Sequence, residues 1–255
     1  MKTTRLIEMC AEIISYAEKV VILGNQKDQN IVFDTCMSFC NRARINITAI
    51  KAILPVYDIN RELELSIGIL LRNNLLDSLI LTYLIYRREC LTSEYRSGLI
   101  DFPKYRAQLE NEFTILQNDH LKSTMAYART QAKLDINSKE KWDRVIKNLT
   151  DKYGLAEDWN DLARFPGPSK MFEEAYSHER TKDSAFLSYD LYALYSKYEH
   201  YGFFSDELVC HPKNEGRLEL GLSISFYTLC EAAFFIGEIE MAREIENRII
   251  AYTED

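Results

Sequence analysis

Apolar residues recur at helical spacing along most of the chain, and Gly and Pro are too scarce, at 9 and 5, for the many tight turns of a β protein. The pattern over 4–23 predicts a first helix, with Gly24 as the left-handed residue that ends it. After the loop GNQKDQN, a second helix is predicted over 31–54. It is expected to stop near Pro55, whose ring disfavours helical geometry in the residue before it. Asp58 then caps a third helix, NRELELSIGILLRNNLLDSLILTYLIYRR, which is apolar on more than one face, as befits a helix surrounded by others. It is the expected central helix.

Beyond a turn at SGLID, Asp101 and Pro103 form a helix start, and a long polar helix is predicted from 102 to beyond Arg129. Ser138 opens a further helix over 139–153 that Gly154 closes. The rigid connector PGP follows EDWNDLARF, and the segments SKMFEEAYS and KDSAFLSYDLYALYSKYEHY read as one short and one longer helix, the latter ended by Gly202. FFSDELVCHPKNEG is the longest irregular stretch, and 217–252 reads as the last helix. The pattern predicts an all-α multi-helix bundle of about seven to nine helices. At 255 residues it is read as a single domain over 1–255, with 91–165 as an insertion or outer layer.

Composition narrows the function classes. Apolar residues at 47% and charged residues at 27% are ordinary for a soluble globular protein. A net charge of −8 opposes attraction to phosphate backbones, so nucleic acid is not an expected partner. Glu8, Glu12 and Glu18 interrupt what would have to be an uncharged secretory segment. The run LGLSISFYTLCEAAFFIG approaches a membrane-spanning length but carries Glu231, and it is read as a buried core helix. Six dispersed cysteines in a chain of this size point to reduced thiols in the cytoplasm. Neither GxxxxGK[ST] nor GxGxxG occurs, and no cofactor is expected.

Three polar constellations could carry chemistry. Tyr192, Ser196 and His200 fall at i, i+4 and i+8 on one helical face, which brings a hydroxyl beside a base; an orienting acid and a nucleophile elbow are missing. The plainer reading is a packing serine that bonds the carbonyl four residues back. Arg72, Asn73, Asn74 and Asp77 interrupt the apolar run of the third helix, where polar groups cost free energy unless paired; they would line a cavity or fix helix register. Glu231, in a strongly apolar segment, wants a cation nearby. Arg72, Asp77, His200 and Glu231 could converge at the bundle centre. Cys36 with Cys40, and Cys210 with His211, match no standard zinc spacing, so no metal is predicted. Tyr189, Tyr192, Tyr195, Tyr198 and Tyr201 cover several faces of one helix and read as core and interface packing.

The segment PSKMFEEAYSHERTKDSAFLSYDLYALYSKYEH, with ELELSIGILLRNNLLDSLILTYL, resembles a family of uncharacterised bacterial all-α proteins, a domain of unknown function. In that family a short helix precedes a Tyr-rich helix ending in Ser-x3-His. The resemblance implies a helical bundle with Arg72, Asp77, Ser196 and His200 at the family's polar positions. A more distant likeness runs to HEPN helical domains, some of which are RNases with an Arg four to six residues before a His; no arginine precedes His200 at that spacing. The expected function is that of a binding or interaction module, with a homodimer through the long helices, or an unidentified protein or small molecule, as partner. The alternative is a hydrolase or HEPN-like nuclease centred on Ser196 and His200, with Arg72 or Asp77 assisting and Tyr192 and Glu231 binding.

Overall fold

The computed structural model describes residues 2–27, 30–57, 59–60, 63–134, 139–153, 164–199 and 214–254. Nine helices and no strand occur among them: α1 Lys2–Asn25, α2 Ile31–Tyr57, α3 Leu63–Arg96, α4 Phe102–Leu134, α5 Lys139–Tyr153, α6 Pro168–Tyr176, α7 Lys182–Glu199, α8 Asn214–Phe235 and α9 Ile239–Glu254. The chain divides into two compact units, 1–94 with 167–255, and 95–166.

In the first unit each helix buries the face its sequence marks as apolar. Leu6, Met9, Cys10, Ile13, Ala17 and Val20 form a buried stripe along α1, which packs on α2, where Cys36, Cys40, Ala43, Ile47, Ile50 and Leu54 repeat at the same spacing. Asn30 starts α2, its Oδ1 accepting the backbone N–H groups of Val32 and Phe33, both at 3.0 Å. α3 is the interior helix the pattern predicts: every residue from Asp77 to Ile85 is buried. α8 is nearly as enclosed and packs against α1, α2, α7 and α9. By length and composition α3 and the 216–235 part of α8 could cross a membrane. In each, 61% and 56% of the apolar window is buried within the protein, as in the core helices of bundles.

Three predicted helix ends are corrected. Gly24 does not end α1 in a left-handed conformation. It lies within the helix, and a β-carbon there would overlap the sulfur of Met37, so the glycine lets α1 and α2 approach closely. α2 continues through Pro55, because the proline falls in the last turn, where few helical bonds remain to be lost. Tyr57 then anchors that turn, buried and donating from its hydroxyl to Glu64 Oε2 at 2.9 Å. The single last helix expected over 217–252 is two helices. Gly237 adopts a φ of 79°, its N–H bonds to Phe234 O at 3.1 Å and that of Glu238 to Ala233 O at 2.9 Å, the paired bonds of a glycine-terminated helix. Lys27 completes this end, with Nζ 2.6 Å from Ile236 O and 2.6 Å from Glu238. The expected caps at Asp58, Gly154 and Gly202 lie outside the described residues.

The second unit holds the last two residues of α3 with α4 and α5. Asp101 Oδ1 accepts the N–H of Lys104 at 2.9 Å, the helix start predicted for α4. α4 buries Phe113, Leu116, Leu121, Met125 and Ala128 on one side, and its Tyr127 meets Trp142 of α5 edge to face at 5.6 Å.

Candidate functional site

Ser196 lies one turn after Tyr192 on α7, and α3 meets it there. Arg72 Nε donates to Ser196 Oγ at 3.0 Å, the same hydroxyl donates to Tyr192 O at 2.7 Å, and the Arg72 guanidinium lies over the Tyr192 ring at 5.3 Å. Three sequence-marked residues are thereby brought together. The serine proton is committed to a backbone carbonyl and its oxygen to a cation, whereas a nucleophile must pass its proton to a base. His200 lies outside the described residues. About two turns away along the two helices, Ser78 and Ser188 share a hydrogen bond of 3.0 Å.

Asp77 faces α2. Its Oδ1 accepts from Arg42 Nη2 at 2.8 Å and its Oδ2 from Arg42 Nε at 2.9 Å, a two-pronged pair across α2 and α3. Burial pushes the Asp77 carboxyl up to about 6, against the pull of Arg42. The thiol of Cys40 beside it is pushed up to about 12, first by burial and then by the Asp77 charge, and burial raises Cys36 as well; both are protonated and unreactive at neutral pH. One turn back, Asn46 Nδ2 donates to Asn74 Oδ1 at 2.8 Å, Asn74 Nδ2 to Ser225 Oγ at 3.3 Å, and Ser225 Oγ to Gly221 O at 3.0 Å. This chain of bonds ties α2, α3 and α8 in one register. Asn73 is exposed.

Glu231 stands apart from both groups. It lines a cavity of about 30 Å³ walled by α3, α7, α8 and the turn before α7, with Ser78, Thr82, Thr181, Ser184 and Thr228 supplying hydroxyls. That space suits a water-sized occupant and not an organic cofactor, whose pockets run to about 300 Å³ or more. Burial raises the Glu231 carboxyl; Arg88 and then Arg180 pull it down, while Glu246 and Glu89 push it up. Both cations are otherwise engaged. Arg180 bonds Glu89 at 2.6 Å, and Arg88 bonds Glu89 at 3.3 Å and lies over the rings of Phe234 and Phe235 at 4.5 and 5.0 Å.

Arg42 and the cavity hydroxyls are the site residues that sequence reasoning missed. Arg42 carries one signal, a cation one turn from the apolar stripe of α2. Thr82 and Thr228 carry none, since a threonine in an apolar run reads as packing. Among the described residues, no three His, Cys, Asp or Glu side chains converge as a metal site would need. No family model matches this chain, and neither a curated protein nor a solved structure is similar to it.

Proposed function

We propose that this chain is a helical interaction module that docks a partner polypeptide on the outer face of the α6–α7 hairpin. The observation that carries this reading is a row of aromatic rings left in water. Phe172 stacks on Tyr189 at 4.6 Å with the rings 9° from parallel, Tyr176 lies 5.2 Å from Phe172, and Phe186 lies 6.5 Å from Tyr176. Tyr176 and Phe186 remain 51% and 49% exposed, and Leu187 extends the patch. A contiguous apolar face of this kind costs free energy in a free monomer, and rigid aromatics at a patch centre are what binding surfaces use. Glu173, Asp183 and Asp190 outnumber Lys170 among the exposed charges of the same two helices, so the fitting partner is apolar with basic flanks.

The rival hydrolase reading has less support, because the Ser196 hydroxyl is held on both sides by Arg72 and the Tyr192 carbonyl. A photo-crosslinking residue at position 186, introduced into the full chain in its own cells, tests the proposal. One partner should be captured there and lost on Tyr176→Asp, with no capture from a control at Ile22, an exposed position on α1. Equal capture at both positions, or none at 186, overturns the reading.

A further inference from the structure

We propose that the occupant of the α6–α7 aromatic face is helix α5 of a second copy of this chain, so that the protein self-associates. The inference rests on the reading of that face as a docking surface and names what fills it.

The pattern of α5 has the character the face calls for. At 3.6 residues per turn, Trp142, Val145 and Ile146 fall on one side of the helix, Lys139 and Lys141 border this stripe on its two flanks, and Glu140 and Asp151 fall opposite. Asp143, beyond Lys139, is the one acid near the apolar side. Lys141 holds its ammonium over the Trp142 ring at 5.4 Å. Over its whole length α5 carries five cations and three carboxylates, in a chain whose net charge is −8.

The stripe of α5 is left partly open, unlike those of α1 and α2. Met9, Ile13, Cys40 and Ile47 are completely enclosed, whereas Trp142, Val145 and Ile146 stay half-buried and no described side chain of α5 is buried. α4 packs along α5, yet the Tyr127 that meets Trp142 edge to face is itself 57% exposed. These are apolar groups that association can still enclose.

Charge then selects the pairing. Two α6–α7 faces set against each other would oppose Glu173, Asp183 and Asp190 to the same residues of the second copy, which disfavours joining like to like. Lys139 and Lys141 on the flanks of α5 meet those acids favourably, so the contact joins unlike faces of two copies. An anionic membrane is the other surface that suits an amphipathic basic helix, and the chain's net charge of −8 opposes approach to it.

Sedimentation velocity of the purified full chain over a range of concentrations tests this. The native chain should associate, and both Lys139→Glu with Lys141→Glu and Glu173→Lys with Asp190→Lys should weaken association about tenfold, all four positions being exposed. Mixed together, the two variants should associate again, because the reversed α5 of one meets the reversed face of the other. A native chain that stays monomeric, association that neither variant weakens, a mixture that associates no better than its parts, or binding to phosphatidylserine vesicles in place of self-association would each overturn the inference. The crosslinker at position 186 separates this failure from failure of the face itself. An adduct between two copies that maps within 139–147 is expected; capture of a different protein overturns the identity of the occupant and leaves the docking face standing, and no capture overturns both.

Discussion

Asp77 and Glu231 are both carboxylates set into apolar helices of the same unit, and the fold treats them in opposite ways. Asp77 meets a guanidinium in two-pronged geometry, so part of the cost of its burial is offset by its partner, and together they hold α3 against α2. Glu231 has cations in its vicinity, but both are occupied by Glu89, and it faces a hydroxyl-lined hollow instead. A buried charge that is paired fixes structure; one held without a partner is a free-energy cost that the rest of the fold carries. Asp77 thus sets the register of α3 against α2, whereas Glu231 holds no helix by a hydrogen bond of its own among the described residues.

Removing the cation from the paired site has the largest expected effect. Arg42→Ala leaves Asp77 buried beside Cys40 with no countercharge and should cost about 3 kcal/mol at pH 7, the low end for a broken buried pair because the Arg42 side chain is itself 39% exposed. Urea unfolding measures it. The double replacement Arg42→Met with Asp77→Leu should recover most of the loss, since no charge is then stranded. A loss below about 1 kcal/mol in the single variant would mean that water reaches Asp77 freely and that the pair does not hold the helices together.

Titration is the next test. The Asp77 carboxyl is raised from 3.8 to about 6 in the native state, so the folded protein binds this proton more tightly than the unfolded chain does. The stabilising contribution is therefore complete below the unfolded value and is lost as pH rises through about 6. Unfolding free energy should increase by about 1 kcal/mol from pH 7 to pH 5 on this account. The Glu231 carboxyl is also raised and adds a contribution of the same sign. Asp77→Asn should flatten the part of the profile centred near 6, and an unchanged profile in that variant would assign the titration elsewhere.

Much of this was legible in the chain. The stripes of α1 and α2, the enclosed α3 and the Asp101 start of α4 follow from spacing and capping chemistry, which are local. Asp77, Arg72 and Glu231 stood out as polar residues in apolar runs; Asp77 and Arg72 are hydrogen-bonded to neighbouring helices, and Glu231 is half-buried near Arg88 and Arg180. Their partners were not legible. Arg42 precedes Asp77 by 35 residues, and whether it faces α3 depends on the rotation of α2 about its axis, which Gly24 and Met37 help to set by bringing α1 close. The break at Gly237 was hidden by the apolar residues on both sides of it, EAAFFIGEIEMA, which keep helical period across a residue that turns left-handed. Pro55 misled in the other direction, because burial of Tyr57 outweighs the proline's preference in the final turn.

At the unpaired carboxylate the sign of the expected change reverses. Glu231→Gln keeps the shape and removes the charge, so at pH 7 it should leave the protein as stable as before or about 1 kcal/mol more stable. Asp77→Asn, the matching change at the paired site, should destabilise by leaving Arg42 without its carboxylate. If both amides destabilise equally, the distinction between the two sites is lost.

The smallest effect belongs to Ser196. Its hydroxyl joins Arg72 to the Tyr192 carbonyl, yet it is only partly buried, so water can take its place on the guanidinium, and the guanidinium keeps its position over the Tyr192 ring. A serine-to-alanine change inside a helix also gains about 0.5 kcal/mol of helix propensity. The two contributions oppose each other, and Ser196→Ala should therefore shift unfolding free energy by less than about 0.5 kcal/mol. Ser188→Ala, which strands the buried Ser78 hydroxyl, should cost about 1 kcal/mol more than that. A Ser196→Ala loss above about 1.5 kcal/mol would place Ser196 with Asp77, among the groups that hold α3 to its neighbours.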